Sequence, residues 1–315
     1  MKNRKSFYLG FIFVLLVAWL SACGSPMGNG AQNGSGDPEH SSATRIYHSE
    51  TGDIEVPANP QRIAVLAHIY VGNVLQLGIK PVAVNEWVKD NKFFEGMLDD
   101  VEVVTEDSPE KLLELNPDLI ITFPTDKNLN KYSSIAPTVA LDHQNLNYLE
   151  QHLEIGKIVG KEEEAQDWID AWNEKVSAEK EKVFEAIGAD ATVTVMDTFG
   201  KDIYIYGKNW GRGTEIIYQA FGIKAPEKVQ QDVFGPGYKA ISSEVLPQYA
   251  GDYIFVGTGA ADSNNSFMET DVWKGIPAVK NNNVILFDAK SFWFNDPVSL
   301  ENELEFIVDE LTKKR

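Results

Sequence analysis

The chain has 315 residues, of which 43% are hydrophobic and 24% charged, and this composition indicates a folded protein long enough for two domains. Its formal net charge at pH 7 is −19. A surface this acidic argues against nucleic acid and anionic lipid headgroups as partners, although a pocket inside such a protein can still be locally basic.

The first 22 residues have the pattern of an export signal. Three basic residues stand among the first five, and the apolar run at 7–20 is shorter than the roughly 20 residues that span a membrane. The run ends in the sequence LSAC at 20–23, which resembles a bacterial lipobox. The resemblance implies cleavage before Cys23 and attachment of diacylglycerol to its thiol. An ordinary signal peptide and an uncleaved anchor remain as alternatives.

Cys23 is the only cysteine in the chain, so it has no intramolecular disulfide partner, and lipid attachment accounts for it. The residues that follow are mostly Gly, Ser, Asn and Pro, which predicts a flexible tether at 23–43. We therefore expect a signal peptide at 1–22, a tether, and a folded part from residue 44 that is held outside the cytoplasm at the cell membrane.

From residue 44 onward, short apolar strands alternate with helices. The predicted strands are 45–48 and 54–56, which form a hairpin, then 62–67, 80–84, 118–123 and 138–141, with helices at 70–77 and 109–115. Alternation at this spacing predicts a parallel, doubly wound sheet. We assign this N-terminal α/β lobe to residues 44–160.

Residues 161–187 predict one long helix. Apolar residues recur there at helical spacing, the opposite face is charged, and no Pro or Gly interrupts the pattern before Gly188. The α/β alternation then resumes, with strands at 192–197, 203–206, 253–256 and 284–287 and helices at 214–221 and 297–311. We therefore expect a second α/β lobe at 188–315, joined to the first by the helix.

A short internal repeat supports two similar lobes. In the sequences EKLLELNPDLII at 110–121 and EVLPQYAGDYIF at 244–255, a Glu and an Asp stand eight residues apart. In each copy the Glu begins a short helix, where an acid suits the helix dipole, and the Asp precedes a strand. A chance match stays open as the alternative.

These features together resemble the class III substrate-binding proteins of ABC importers for siderophores, haem and cobalamin. The resemblance is carried by the lipobox, the tether, EKLLELNPDLII, the long helix and SSEVLPQYAGDYIFV at 242–256. It implies two Rossmann-like lobes joined by one long helix, a ligand bound between them, and an ABC permease as partner. It also implies that Glu110 and Glu244 form salt bridges to arginines of the permease subunits. Plain helix-starting acids are the alternative reading of both residues.

A narrower resemblance concerns the ligand. The segment 204–213, YIYGKNWGRG, and the segment 291–293, SFW, resemble those with which hydroxamate-siderophore receptors hold ligand. The resemblance implies that Tyr204, Trp210, Arg212 and Trp293 face the cleft. The residue types suit this role, because Trp and Tyr offer flat apolar area and Arg offers fixed donors to chelator oxygens.

Several structural readings of these residues stay open. Trp210 would also suit a core, and Arg212 would also suit a surface pair with Glu215. In the N-terminal lobe we choose Trp87, which follows a predicted strand, as the ligand contact. His68 also follows a strand, and we interpret it as a turn residue with satisfied hydrogen bonds.

Competing functions fit the sequence less well. The five histidines include no closely spaced pair, so a direct metal-ion receptor is not favoured, and we expect no protein-bound metal or cofactor. No nucleophile elbow, metal-hydrolase motif or dinucleotide fingerprint occurs, so we expect no enzyme. A catecholate siderophore, haem or cobalamin remains as an alternative ligand, with Lys127, Lys208 and Lys290 as basic residues near the cleft.

We therefore expect a monomeric, lipid-anchored receptor, without affinity for nucleic acid, that carries an iron(III)–siderophore complex to an ABC importer. The preferred ligand is a hydroxamate or a mixed citrate-hydroxamate siderophore, in which iron arrives already chelated.

Overall fold

The computed structural model describes residues 43–49, 52–260 and 263–313. The predicted signal peptide at 1–22, Cys23 and residues 24–42 of the predicted tether lie outside the described residues. Within the described ranges, no helix combines the length and the apolar character needed to cross a bilayer.

The first lobe contains a five-stranded, all-parallel sheet. Its elements in chain order are strands β1 (Thr44–Ser49), β2 (Gly52–Pro57) and β3 (Ile63–Val65), helix α1 (Val71–Gln76), strands β4 (Ala83–Val84) and β5 (Glu102–Val103), helix α2 (Lys111–Leu115), strand β6 (Leu119–Thr122), helix α3 (Leu129–Tyr132), strand β7 (Thr138–Ala140) and helix α4 (Tyr148–Val159). Strands β1 and β2 form the predicted antiparallel hairpin, and the sheet has the order β5-β4-β3-β6-β7. Strands β3 and β6 are buried along their whole length, as expected for a sheet covered on both faces.

Helix α5 (Glu162–Ile187) follows the first lobe and has 26 residues, which corresponds to about 39 Å. Its buried side chains recur three, four or seven residues apart, as an apolar stripe requires; they are Ala165, Ile169, Trp172, Val176 and Val183. Trp172 donates to the hydroxyl of Tyr148 at 3.1 Å, which fixes α5 against α4. The helix ends before Gly188, whose φ of +88° favours glycine.

The second lobe contains a mixed sheet. Its elements are strands β8 (Val193–Phe199) and β9 (Asp202–Tyr206), a π-helical turn (Glu215–Ala220), helix α6 (Glu227–Asp232), strands β10 (Tyr238–Ile241) and β11 (Tyr253–Thr258), helices α7 (Asp271–Gly275) and α8 (Pro277–Lys280), strand β12 (Val284–Asp288) and helix α9 (Pro297–Thr312). The sheet order is β10-β9-β8-β11-β12. Helix α9 packs against α5 and also against α1 of the first lobe.

Two strand pairs of this sheet, β8–β9 and β9–β10, are antiparallel, whereas β8, β11 and β12 are parallel. The reason is local: only Gly200 and Lys201 separate β8 from β9, and a parallel crossover needs a dozen residues or more. The predicted fold class, two doubly wound α/β lobes joined by one long helix, is confirmed, with an antiparallel edge added to the second sheet.

The internal repeat corresponds to a repeated contact. Asp118 precedes β6 and accepts hydrogen bonds from the backbone amides of Gln61 and Arg62, at 2.7 and 2.9 Å. Asp252 precedes β11 and accepts from the backbone amide of Thr192 at 2.8 Å. In both lobes, the aspartate therefore holds the chain that leads into the neighbouring parallel strand, β3 or β8.

Candidate ligand-binding site

A loop with several left-handed residues follows β9 and carries two of the predicted contacts. Asn209, Gly211, Arg212 and Gly213 have φ values of +66°, +65°, +60° and +75°. Glycine adopts such angles freely, whereas they cost energy for asparagine and arginine. The backbone amide of Arg212 donates to the carbonyl of Phe292, and this bond places the loop beside the segment that follows β12.

The direction of β9 changes one expectation. Open α/β sheets bind ligands at the carboxyl ends of their parallel strands, and in a parallel sheet the loop that carries Trp210 and Arg212 would lie at that edge. Because β9 runs antiparallel to β8, it does not end at the edge where β8, β11 and β12 end. The rule applies instead to β4 and β12, which are followed by Trp87 and Trp293. The loop after β9 reaches the site through its bond to Phe292.

The guanidinium of Arg212 lies between two aromatic rings. Its Cζ is 4.1 Å from the centre of the Tyr206 ring and 4.5 Å from that of the Trp293 ring. Nε donates to Oδ2 of Asp197 at 3.0 Å, and Nη1 donates to the carbonyl of Trp210 at 2.9 Å. The side chains of Arg212 and Asp197 are 7% and 9% exposed, so their ion pair is buried. Nη2 has no hydrogen-bond partner in the described part of the chain.

The ion pair answers one question that the sequence left open. Arg212 pairs with Asp197, and the surface pair with Glu215 is wrong. Glu215 is fully buried and accepts from the amide of Gly211 at 2.9 Å, and burial raises the pKa of its carboxyl. The other oxygen of Asp197 accepts from the hydroxyl of Tyr206 at 2.7 Å. Asp197 therefore holds both the arginine and one of its two rings.

Three aromatic side chains form the wall of the second lobe. Trp210 and Tyr238 meet edge to face with ring centres 4.7 Å apart, and Tyr204 lies 6.1 Å from Tyr238. Trp210 is 39% exposed, so it is not part of the core. Its indole occupies the space that a side chain at Gly237 would fill. Tyr238 was missed in the sequence, because its place depends on the pairing of β10 with β9.

Trp87 and Trp293 face each other from the two lobes, with ring centres 6.1 Å apart. Trp87 lies in a 3-10 turn (Glu86–Asp90) that is capped by the side chain of Asn85, and Trp293 ends another 3-10 turn (Ser291–Trp293). The two rings are 60% and 40% exposed. The neighbours Phe292 and Phe294 are buried, so the aromatic run on this segment alternates between core and surface.

A further group of rings extends the first-lobe wall. His68 lies 6.4 Å from Trp87 and 5.6 Å from Phe123, and Phe123 lies 5.7 Å from His143. His68 does lie in a turn, but its ring makes aromatic contacts, with no hydrogen bond among the described residues. Burial, followed by the proximity of His143, lowers the pKa of His68 to about 4. At neutral pH, this wall therefore carries a neutral imidazole.

The lysines that the sequence placed near the cleft have other contacts. Lys127 pairs with Glu106 at 3.0 Å, Lys290 pairs with Asp90 at 2.8 Å, and Nζ of Lys208 lies 5.1 Å from an aromatic ring centre. Among the residues that the structure describes, no group of three or more His, Cys, Asp or Glu side chains is arranged to hold a metal ion. The ligand wall is therefore mainly aromatic, with one buried and neutralised arginine.

Glu110 and Glu244 are both exposed, each beside the short helix or turn that the sequence predicted. Neither makes an ion pair with any residue in the described ranges. A hydrogen bond from Ser242 lowers the pKa of Glu244, so this carboxylate is charged at neutral pH.

Comparison with known proteins gives consistent matches along the whole described chain. A family model described as periplasmic binding protein matches residues 63–291. The chain is 40% identical over 314 residues to the iron(3+)-hydroxamate-binding protein FhuD of Bacillus subtilis (strain 168), covering 98% of each chain. It is 33% identical over 319 residues to the iron(3+)-hydroxamate-binding protein YxeB of the same organism, covering 99% of this chain and 98% of the relative. The solved structure of FhuD2 from Staphylococcus aureus with bound ferrioxamine B matches with 38% identity and a TM-score of 0.77, over 80% of this chain and 98% of that one.

The buried imidazole of His68 predicts a pH-dependent stability. Its pKa is about 4 in the folded protein against 6.5 for the ordinary group, so the unfolded chain takes up the proton first as the pH falls. The free energy of unfolding should therefore fall between pH 6.5 and pH 4, and His68→Phe should remove about 2 kcal/mol of that fall. Urea unfolding at pH 7 and pH 4.5 measures the difference, with exposed His48→Phe as the control. Equal pH dependence in the wild type and His68→Phe would contradict the prediction.

Proposed function

This chain belongs to the periplasmic binding protein family, and we propose that it is an extracytoplasmic receptor that binds an iron(III)–siderophore complex and delivers it to an ABC importer. The relatives named above, with 98% of their length covered, are named as iron-hydroxamate-binding proteins. The proposed ligand is accordingly a hydroxamate or a mixed citrate-hydroxamate siderophore. The iron arrives inside the chelate, and the protein supplies no metal ligand and no cofactor.

The observation that carries this choice of ligand is the neutralised Arg212. A ferric tris-hydroxamate core has no net charge, whereas a ferric tris-catecholate carries three negative charges. The guanidinium is paired with Asp197 at 3.0 Å, so the site offers hydrogen-bond donors without a net positive charge. Lys127 and Lys290 are likewise paired with carboxylates, and among the three lysines only Lys208 has an aromatic ring in place of a carboxylate partner. A trianion would lose its hydration here with one unpaired cation to replace it.

The aromatic walls support the same assignment. Trp210, Tyr204 and Tyr238 on one lobe and Trp87 on the other offer flat apolar area to the linkers of a chelate shell. Nη2 of Arg212 would donate to the chelator oxygens. Haem and cobalamin also have large flat faces, so they are retained as competitors in the binding test.

Two further parts of the proposal concern the membrane. Cys23 lies outside the described residues, and the support for a lipid on its thiol is the lipobox sequence. Mass spectrometry of the mature protein decides this point, because an unmodified Cys23 would exclude the anchor. The receptor is proposed to work as a monomer that meets the permease subunits through Glu110 and Glu244.

The binding test uses the full chain in detergent and follows the quenching of tryptophan fluorescence. Ferric desferrioxamine, ferric ferrichrome or a ferric citrate-hydroxamate should quench saturably, whereas a ferric tris-catecholate, haem and cobalamin should bind more weakly. Arg212→Ala should weaken hydroxamate binding about tenfold or more, because charge-assisted hydrogen bonds and ring contacts are both lost. The exposed Lys224→Ala is the control. Tight binding only to catecholate, haem or cobalamin would overturn the hydroxamate assignment.

Asp197→Asn tests the charge argument directly. Asparagine still offers an oxygen to Nε, but Arg212 then has no opposite charge. We expect the ratio of catecholate to hydroxamate affinity to rise about tenfold, in accordance with a modest Coulomb gain for a trianion near an unpaired cation. The exposed Asp202→Asn changes the net charge equally and should leave the ratio unchanged. An unchanged ratio in Asp197→Asn would show that the arginine charge does not select the ligand.

Docking to the importer is tested by Glu110→Arg combined with Glu244→Arg. Uptake of the iron complex by intact cells should be lost, because the two introduced arginines would face the arginines of the permease subunits and be repelled by them. The affinity of the purified variant for the ligand should stay within about twofold, since neither residue contacts the aromatic site. Glu114→Arg, at an exposed position of helix α2, which Glu110 directly precedes, is the control. Normal uptake by the double variant would refute the docking assignment.

A further inference from the structure

Two segments, one from each lobe, lie side by side, and each carries one of the two tryptophans that face each other, Trp87 and Trp293. The first-lobe segment is residues 86–94, and the second-lobe segment is residues 288–294. Each contains one aspartate and one lysine that pair with the other segment. Asp90 pairs with Lys290 at 2.8 Å, and Lys92 pairs with Asp288. We call these two contacts the crossed ion pairs.

Other contacts between the same segments hold them in register. The backbone amide of Lys92 donates to the hydroxyl of Ser291 at 3.1 Å, and the rings of Phe93 and Phe292 lie 5.8 Å apart. Between the two charged residues of the first-lobe segment, the buried amide of Asn91 donates to the hydroxyl of Ser299 in α9 at 3.0 Å. The crossed ion pairs are therefore the solvent-facing part of a contact whose inner part is polar and aromatic.

The position of the charges relative to the tryptophans is the important feature. Trp87 and Asp90 are three residues apart in a 3-10 turn, and side chains at this spacing lie above one another. Lys290 and Trp293 are also three residues apart: Lys290 directly precedes the second 3-10 turn and Trp293 ends it. The Asp90–Lys290 pair consequently lies one turn behind the Trp87–Trp293 pair, on the same two segments.

We propose that the crossed ion pairs are positioning contacts that set the distance between Trp87 and Trp293, and so the width of the ligand cleft. An exposed ion pair by itself contributes little to stability. Here, however, the carboxylate of Asp288 is held by the backbone amides of Lys290 and Ser291, at 3.0 and 3.2 Å, so one partner is already fixed. The proposal rests on the proposed function only for the identity of the ligand.

The test uses Asp90→Lys, Lys290→Asp and the double exchange in the full chain. Asp100→Lys is the matched control, because Asp100 pairs with Lys80 inside the first lobe and the substitution changes the net charge equally. The first measurement needs no ligand. Nitroxide labels on cysteines at the exposed positions Lys131 and Lys274, in a Cys23→Ser background, report the distance between the lobes by double electron–electron resonance.

Asp90→Lys should shift or broaden the distance distribution, since two lysines would then face each other across the lobes. The double exchange should recover at least half of that change, and Asp100→Lys should resemble the wild type. The change should also be smaller at 500 mM than at 50 mM salt, because exposed charges are screened. A distribution in Asp90→Lys equal to that of Asp100→Lys, or no recovery in the double exchange, would overturn the proposal.

The second measurement is the dissociation constant of ferric desferrioxamine. Asp90→Lys should weaken binding by about three- to tenfold, and the double exchange should return it to within about threefold of the wild type. If the wild type binds no ferric siderophore, the proposed function fails, while the distance measurement still decides the role of the crossed ion pairs. If the distances change but the affinity does not, the pairs do not set the width of the cleft for the ligand, and the proposal is refuted.

Discussion

The buried ion pair between Arg212 and Asp197 organises the second-lobe side of the site. A guanidinium with little exposure to water needs a paired charge and hydrogen-bond partners; Asp197 pairs its charge and accepts from Nε, and the carbonyl of Trp210 accepts from Nη1. The backbone of Arg212 is also left-handed, at a cost of roughly 1–2 kcal/mol. Strand β8, strand β9, the glycine-rich loop and the segment after β12 all contribute to this one pair, so its presence fixes their relative positions.

The same pair lies near other buried carboxyl groups. Three of them are fully buried, on Glu215, Asp296 and Glu303. Burial and then the neighbouring Glu215 and Asp296 raise the pKa of Glu303 well above its usual range, and neither oxygen of this carboxyl has a hydrogen-bond partner in the described structure. A charged carboxylate without partners would be very costly, so burial favours the neutral form of Glu303. The direct ionic partner of Arg212 is Asp197.

The sequence predicts those features that depend on local pattern. The long helix follows from apolar residues at three- and four-residue spacing, and the parallel strands follow from short apolar runs between turns. Trp210 and Trp293 were predicted from the resemblance of their segments to hydroxamate-siderophore receptors, and Trp87 from its position after a strand; their role as ligand contacts stays a prediction. Asp197 and Tyr238 were missed because they act through residues distant in sequence. Helix α4 was missed although Asn147 and Glu150 form a capping box at its start and Gly160 ends it.

The alternative pairing of Arg212 with Glu215, which the structure excludes, has the same origin. Two residues three apart at the start of a helix are natural partners in a sequence, but the left-handed backbone at Arg212 turns its side chain towards β8. The antiparallel direction of β9 was also not predicted, although a connection of two residues between β8 and β9 is too short for a parallel crossover. Spacing in the sequence predicts which residues are neighbours on one element, and only the fold shows which elements are neighbours in space.

The way in which the lobes are joined limits how the cleft can close. Helix α5 is a long, uninterrupted rod, and α9 packs against both α5 and α1, so the lobes share a helix as well as a connection.

Asp296 caps α9 by accepting from the amide of Ser299 at 3.0 Å, and its carboxylate occupies the space that any side chain at Gly72 would need. The amide of Asn91 then joins the first lobe to the same serine. Separation of the lobes would break this buried hydrogen bond and leave its polar groups without partners, which is unfavourable, so large hinge opening is disfavoured. The two walls are therefore already in place, and a preformed cleft of this kind would lose less conformational entropy on binding a ligand than a hinged one.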